Sequence, residues 1–119
     1  MDLTDPATIE AVWQKGAVLS NPNVDGRTWR KDVCSAWILR SEYGNRNSDY
    51  GWEIDHIVTK DDGGSDDLSN LRPLQWENNN LRGTPFACTI KSGNQKIVKV
   101  TPGGTVSTFV GDTWLSRLV

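Results

Sequence analysis

The 119-residue chain has one histidine, one methionine and two cysteines. Two cysteines make no disulfide scaffold, and with a single histidine they fall short of the four Cys and His ligands of a structural zinc. Cys34 and Cys88 read instead as buried small hydrophobes. No apolar run nears the roughly 20 residues of a membrane span. The start, Met1-Asp2-Leu3-Thr4-Asp5-Pro6, lacks the basic residues and apolar stretch of a signal peptide. The expectation is a reduced, cytoplasmic protein with no membrane partner. An excess of positive charge is also missing: the net charge is -2 and the isoelectric point is near 5.3, which at face value speaks against a nucleic-acid binder. There is no internal repeat and no low-complexity tract, so residues 1–119 are read as a single domain.

Tryptophan is abundant. Six Trp against two Tyr and two Phe suggest a core built on a few large rings. Charge is segregated as well. Residues 27–48 hold five basic side chains (Arg27, Arg30, Lys31, Arg40, Arg46) against two acidic ones, and 78–119 hold five against one. Between them, 49–77 hold two basic and eight acidic. A solvated mixed surface accounts for this pattern, and so do two phosphate-contacting flanks around a carboxylate-bearing site.

Asp5-Pro6 ahead of Ile9, Val12 and Trp13 predicts a capped short helix. Trp29 to Tyr43 fits either a helix or two short strands. Trp52 to Val58 has strand composition, with 52, 54 and 58 on one face. Asp61 to Asp67 is a loop by composition, Leu68 to Gln75 a returning strand, and Gln75 to Arg82 a helix stopped by Gly83 and Pro85. After Phe86, Cys88–Lys91 and Lys96–Val100 form a hairpin, and Thr105–Val110 a third strand. The fold class is α+β: a single small domain with an N-terminal segment over 1–49, a strand–loop–strand–helix core near 50–83 and a C-terminal β-hairpin region over 86–119.

His56 is the one histidine, and by itself such a residue is more often structural than catalytic. Its neighbours raise the odds. Asp55 precedes it, Asn70 follows fourteen residues later across a Gly-Gly loop, and Asn79 lies nine beyond Asn70 on the expected helix. A carboxylate and an amide oxygen converging beside an imidazole suit metal-assisted hydrolysis.

At these residues the chain resembles the HNH endonucleases, or ββα-metal nucleases. The stretches that carry the resemblance are Trp52-Glu53-Ile54-Asp55-His56-Ile57-Val58, Gly63-Gly64-Ser65-Asp66-Asp67-Leu68-Ser69-Asn70-Leu71-Arg72-Pro73-Leu74, and Asn78-Asn79-Asn80. The resemblance implies a ββα-metal motif and a metal-dependent endonuclease acting on DNA. In it, His56 is the general base that activates water, and Asp55 and Asn79 hold one divalent cation, Mg²⁺ or Mn²⁺. Asn70 pins the loop so that His56 faces the water. The chain departs from the family pattern in two ways. Gln75 and Asn78 stand where many members carry zinc-binding cysteines, so no structural zinc is expected, with Trp76, Trp37 and Leu74 packing in its place. The last motif residue is Asn, within a run of three from which spacing selects Asn79 over Asn80.

Arg30, Arg40, Arg46 and Arg82 are weaker candidates for phosphate contacts. The acidic cluster Asp61, Asp62, Asp66 and Asp67 reads as a solvated loop. Lys91, Lys96 and Lys99 suit DNA binding or protection of a sheet edge. Adjacent strand residues point to opposite faces, so Asp55 and His56 share a site only if the strand ends or bulges there. Two other readings stand beside the nuclease. One is a non-catalytic nucleic-acid-binding module of the same fold. The other is the nuclease component of a toxin, phage or restriction assembly, with a protein partner or as a homodimer.

Overall fold

The computed structural model describes residues 2–80 with their side chains, the backbone of Leu81, and the strand backbones of 87–92, 95–100, 105–110 and 113–118. Helix α1 runs Pro6–Trp13, with Asp5 as N-cap accepting a hydrogen bond from the Ala7 N–H and Pro6 in the first turn. The segment that fitted helix or strand is a hairpin. β1 (Trp29–Lys31) pairs antiparallel with β2 (Trp37–Leu39), and a 3₁₀ turn follows over Arg40–Glu42. The tight turn between the strands decides this, because Ser35 takes a left-handed φ of 64° that no helix would hold.

β3 (Trp52–His56) pairs antiparallel with β4 (Leu71–Gln75), and α2 (Trp76–Leu81) follows without a gap. β3 is two residues shorter than expected, leaving Ile57 and Val58 exposed. β4 starts later than expected, after a 3₁₀ turn over Leu68–Asn70. The C-terminal strands β5 (Ala87–Ser92), β6 (Gln95–Val100), β7 (Thr105–Val110) and β8 (Thr113–Leu118) form an antiparallel sheet in that order. β8 is one strand more than composition indicated.

The core joins α1 to both hairpins. Val12, Trp13, Ile38, Trp52 and Leu71 are fully buried together, and the Trp13 and Trp52 rings lie 5.3 Å apart. Burying such rings contributes about 2–3 kcal/mol each. Trp13 and Trp52 also lie beneath the guanidinium groups of Arg30 and Arg40. Among the described residues no helix is long and apolar enough to cross a membrane.

A second, polar junction ties β1–β2 to α2. Asp32 is 4% exposed, and its Oδ1 accepts from the N–H groups of Cys34 and Ala36, both at 2.9 Å. Its Oδ2 accepts from the Gln75 N–H at 3.0 Å and the Asn78 side-chain amide at 2.9 Å. Desolvation by burial pushes the Asp32 carboxyl above its usual range, against the pull of those four donors. This changes the expected packing around Gln75 and Asn78. A buried carboxylate bridges them to the first hairpin, while Trp76 donates its indole N–H to the Ser48 carbonyl and Trp37 lies edge-to-face with Trp29. Leu74 is buried against Cys34. Cys34 is buried as expected, but it is disulfide-bonded and not a thiol.

Candidate active site

The strand–loop–strand–helix order places the four singled-out residues along one unit. His56 is the last residue of β3, opposite Leu71, and the register from Trp52↔Gln75 to His56↔Leu71 has no bulge. Asp55 therefore shares a face with Glu53, and His56 turns to the other face where the strand ends.

The loop after His56 is closed by two glycines with different tasks. Gly63 ends a 3₁₀ turn over Lys60–Asp62 at φ 88°, a left-handed conformation that favours glycine. At Gly64, a Cβ would lie 1.8 Å from the Val58 carbonyl oxygen, so no larger residue fits that approach. Asn70 fastens the same loop. Its amide donates to the carbonyls of Ser65 (2.8 Å) and Val58 (3.0 Å), and its Oδ1 accepts from the Val58 N–H at 2.8 Å. The Asn70 carbonyl also receives the Ile57 N–H.

The pinned loop delivers Asp66 to His56. Nε2 of His56 lies 2.8 Å from Asp66 Oδ1, and Lys60 Nζ lies 3.0 Å from the same oxygen. The hydrogen bonds from His56 and then from Lys60 hold the Asp66 carboxyl below its usual range, so it is ionised and acts as acceptor. Nε2 then carries the proton, and in the neutral ring Nδ1 is the basic nitrogen. Asp66, read from composition as part of a solvated loop, is in contact with His56. The signal was its place two residues after a Gly-Gly turn that folds the chain back on β3.

On the other face, Asp55 is 4% exposed and accepts a 2.7 Å charge-assisted hydrogen bond from Nε of Arg72, its cross-strand partner. The three asparagines of α2 separate as successive helix positions must. Asn78 is fully buried on Asp32, Asn80 is exposed, and Asn79 donates from Nδ2 to Glu53 Oε1 at 2.9 Å. Arg46 grips both oxygens of Glu53 at 2.8 Å, and that hydrogen bonding is the main reason the Glu53 carboxyl is held below its usual range. Asn79 thus comes to the Glu53 and Asp55 face of β3. Glu53 and Arg72 were not singled out from sequence, although the register that pairs Arg72 with Asp55 follows once two strands are assigned.

Oxygen donors dominate this face: Asp55, Glu53 and the Asn79 amide. Such a set fits a hard divalent cation such as Mg²⁺ or Mn²⁺. Among the described residues, no three His, Cys, Asp or Glu side chains converge as a metal cluster, so an amide or a phosphate oxygen would have to complete the coordination.

The arginine candidates divide. Arg30 is 8% exposed, and its guanidinium donates to the carbonyls of Gly26, Gln14 and Gly16 and to the Gln14 side chain. It is a structural clamp over Trp13 and is removed from the surface. Arg40 pairs with Glu10 at 3.2 Å and Arg46 with Glu53. Arg82 lies outside the described residues, as do the side chains of Lys91, Lys96 and Lys99.

Residues 41–83 match the family model of the HNH endonucleases. That family is typically one of nucleases, which generally use a divalent cation, so a nucleic-acid substrate is implied. Neither a curated protein nor a solved structure matches the chain.

Proposed function

We propose that residues 1–119 form one HNH-type nuclease domain that hydrolyses DNA phosphodiester bonds, one strand per site, with His56 as general base. The observation that carries this reading is the fastened loop: Asn70 holds Ser65 and Val58, and Asp66 holds Nε2 of His56. With Nε2–H donated to Asp66, Nδ1 takes a proton from the water that attacks phosphorus, and the bond to the 3′ oxygen breaks. Asp66 is a positioning residue that fixes tautomer and ring orientation and favours the imidazolium that forms. Asp55 and the Oδ1 of Asn79 would hold one divalent cation, with Glu53 orienting the Asn79 amide from behind. When bound, Mg²⁺ or Mn²⁺ supplies charge neutralisation at the scissile phosphate and the leaving oxygen.

The test is conversion of supercoiled plasmid with and without Mg²⁺ or Mn²⁺, beside His56→Ala. Nicking that needs the cation and is lost in the folded variant is the expected result. Binding without nicking in either metal would overturn the catalytic reading. It would favour a non-catalytic nucleic-acid-binding module, a reading supported by the pairing of Asp55 with Arg72.

A further inference from the structure

The outer face of the first hairpin is unusual. Period-two alternation turns Arg30 and Ile38 inward to the core and leaves Trp29, Lys31 and Trp37 on the opposite face. Trp29 stands edge-to-face with Trp37 (5.8 Å, 84°) and with Tyr50 (5.0 Å, 84°). The three rings wall a cleft of about 280 Å³ open to solvent, with Asn23 and Val24 at its edge. Tyr50 is 43% exposed, yet it is held in place: its carbonyl accepts the Leu39 N–H, and its own N–H donates to the Ser48 hydroxyl. Ring faces kept partly open by perpendicular packing are a stacking surface, and the cleft is at the small end for ligand sites, which suits one flat group.

A second cleft, of about 210 Å³, has Lys31 in its wall. The Lys31 ammonium lies 4.9 Å from the Trp37 ring centre, and the same side chain lines the second cleft with Lys15 and Arg72. Arg72 is the partner of Asp55. Lys31, Lys15, whose ammonium donates to the Leu68 and Leu71 carbonyls, and Arg72 thus lead from the aromatic cleft toward the candidate active site. Tyr50 is six residues before His56, so the two are no more than about 20 Å apart, roughly six steps of a strand at 3.4 Å each.

We propose that the cleft walled by Trp29, Trp37 and Tyr50 stacks an unpaired nucleobase of a DNA strand whose phosphates follow Lys31, Lys15 and Arg72 toward Asp55. This rests on the nuclease reading for the identity of the strand. An aromatic cage of this kind also suits a quaternary ammonium group. Here the Lys31 ammonium is already over Trp37 and opposes a second cation, while it attracts a phosphate. A base is reachable only when unpaired, so the site selects single-stranded or locally opened DNA over intact duplex.

Binding of the full chain to a fluorescein-labelled oligothymidylate, followed by anisotropy in EDTA at about 50 mM salt, tests this without any cleavage. Trp37→Ala and Tyr50→Ala should each weaken binding by about five- to a hundredfold, and Tyr50→Phe should bind like the wild type. Lys31→Ala should lower the slope of log affinity against log salt by about one. Because Tyr50 is exposed, its variants keep the fold intact even if those of Trp37 do not. Unchanged affinity in Tyr50→Ala, equal competition by a blunt duplex, no measurable binding, or saturable quenching of tryptophan fluorescence by tetramethylammonium would each overturn the proposal. Loss of plasmid nicking with these binding results intact would count against the nuclease reading alone.

Discussion

At the scale of single residues, the His56–Asp66 contact makes the sharpest demand. A lost general base costs about 10²- to 10⁴-fold, so His56→Ala should cut the single-turnover nicking rate by at least about 10²-fold with little change in melting temperature. Asp66→Asn keeps the size of the side chain but removes the charge that favours the imidazolium. It should lower the same rate by about tenfold or more, and by less than His56→Ala does. Equal rates for wild type and Asp66→Asn would show that the 2.8 Å contact has no part in the chemistry. Asp66 was hidden among four aspartates of one loop, which composition cannot rank. That Asn78, Asn79 and Asn80 meet different neighbours, in contrast, follows from helix geometry, because successive residues rotate by about 100°.

Within elements, the loop between β3 and β4 and the Asp32 junction are where stability and activity come apart. Asn70→Ala takes the partner from the Val58 N–H and the Val58 and Ser65 carbonyls, exposed groups that water can reach, and should cost about 0.5–1.5 kcal/mol as well as activity. Among the described residues Asn79 makes one side-chain hydrogen bond, to Glu53, so Asn79→Ala should lose cation-dependent cleavage with a smaller loss of stability. Paired melting and cleavage measurements on the two variants decide this, and a larger melting loss for Asn79→Ala would reverse the two roles. At Asp32, the isosteric change to Asn turns an acceptor that receives two N–H groups into a competing donor. Asp32→Asn should therefore destabilise by about 2–4 kcal/mol, read from urea unfolding. A change under about 0.5 kcal/mol would remove Asp32 as the link between β1–β2 and α2.

For the whole molecule, acid should be destabilising. Among the described residues, Asp2, Glu10, Asp25, Glu53 and Asp66 are held below their ordinary values, chiefly by hydrogen bonds to Thr4, Gln14, Arg27, Arg46 and His56 respectively. A depressed carboxyl adds stability that is present above its unfolded value, 3.8 for Asp and 4.5 for Glu, and is lost as pH falls through the folded one. Asp32 is raised by burial and acts in the opposite sense: its contribution is full below 3.8 and is lost as pH rises. Five groups against one predict a melting temperature that falls as pH drops below about 4.5. A curve that stays flat or rises from pH 5 to pH 3 would contradict this balance.

Much of the chain was legible in its residues because the cues are local. Asp5-Pro6 caps α1, Gly63-Gly64 bends the loop as only glycines can, and the spacing of Asp55, His56, Asn70 and Asn79 orders strand, loop, strand and helix. Local cues do not say which distant group a side chain meets. Burial and register decided that Arg30 clamps Trp13, that Asp55 meets Arg72 across the strands, and that Asp32 joins Gln75 and Asn78. Each of these pairs a charge with groups remote in sequence. A charge leaves water only where the folded chain supplies its partners, so the tertiary structure alone chose between a solvated surface residue and a buried tie.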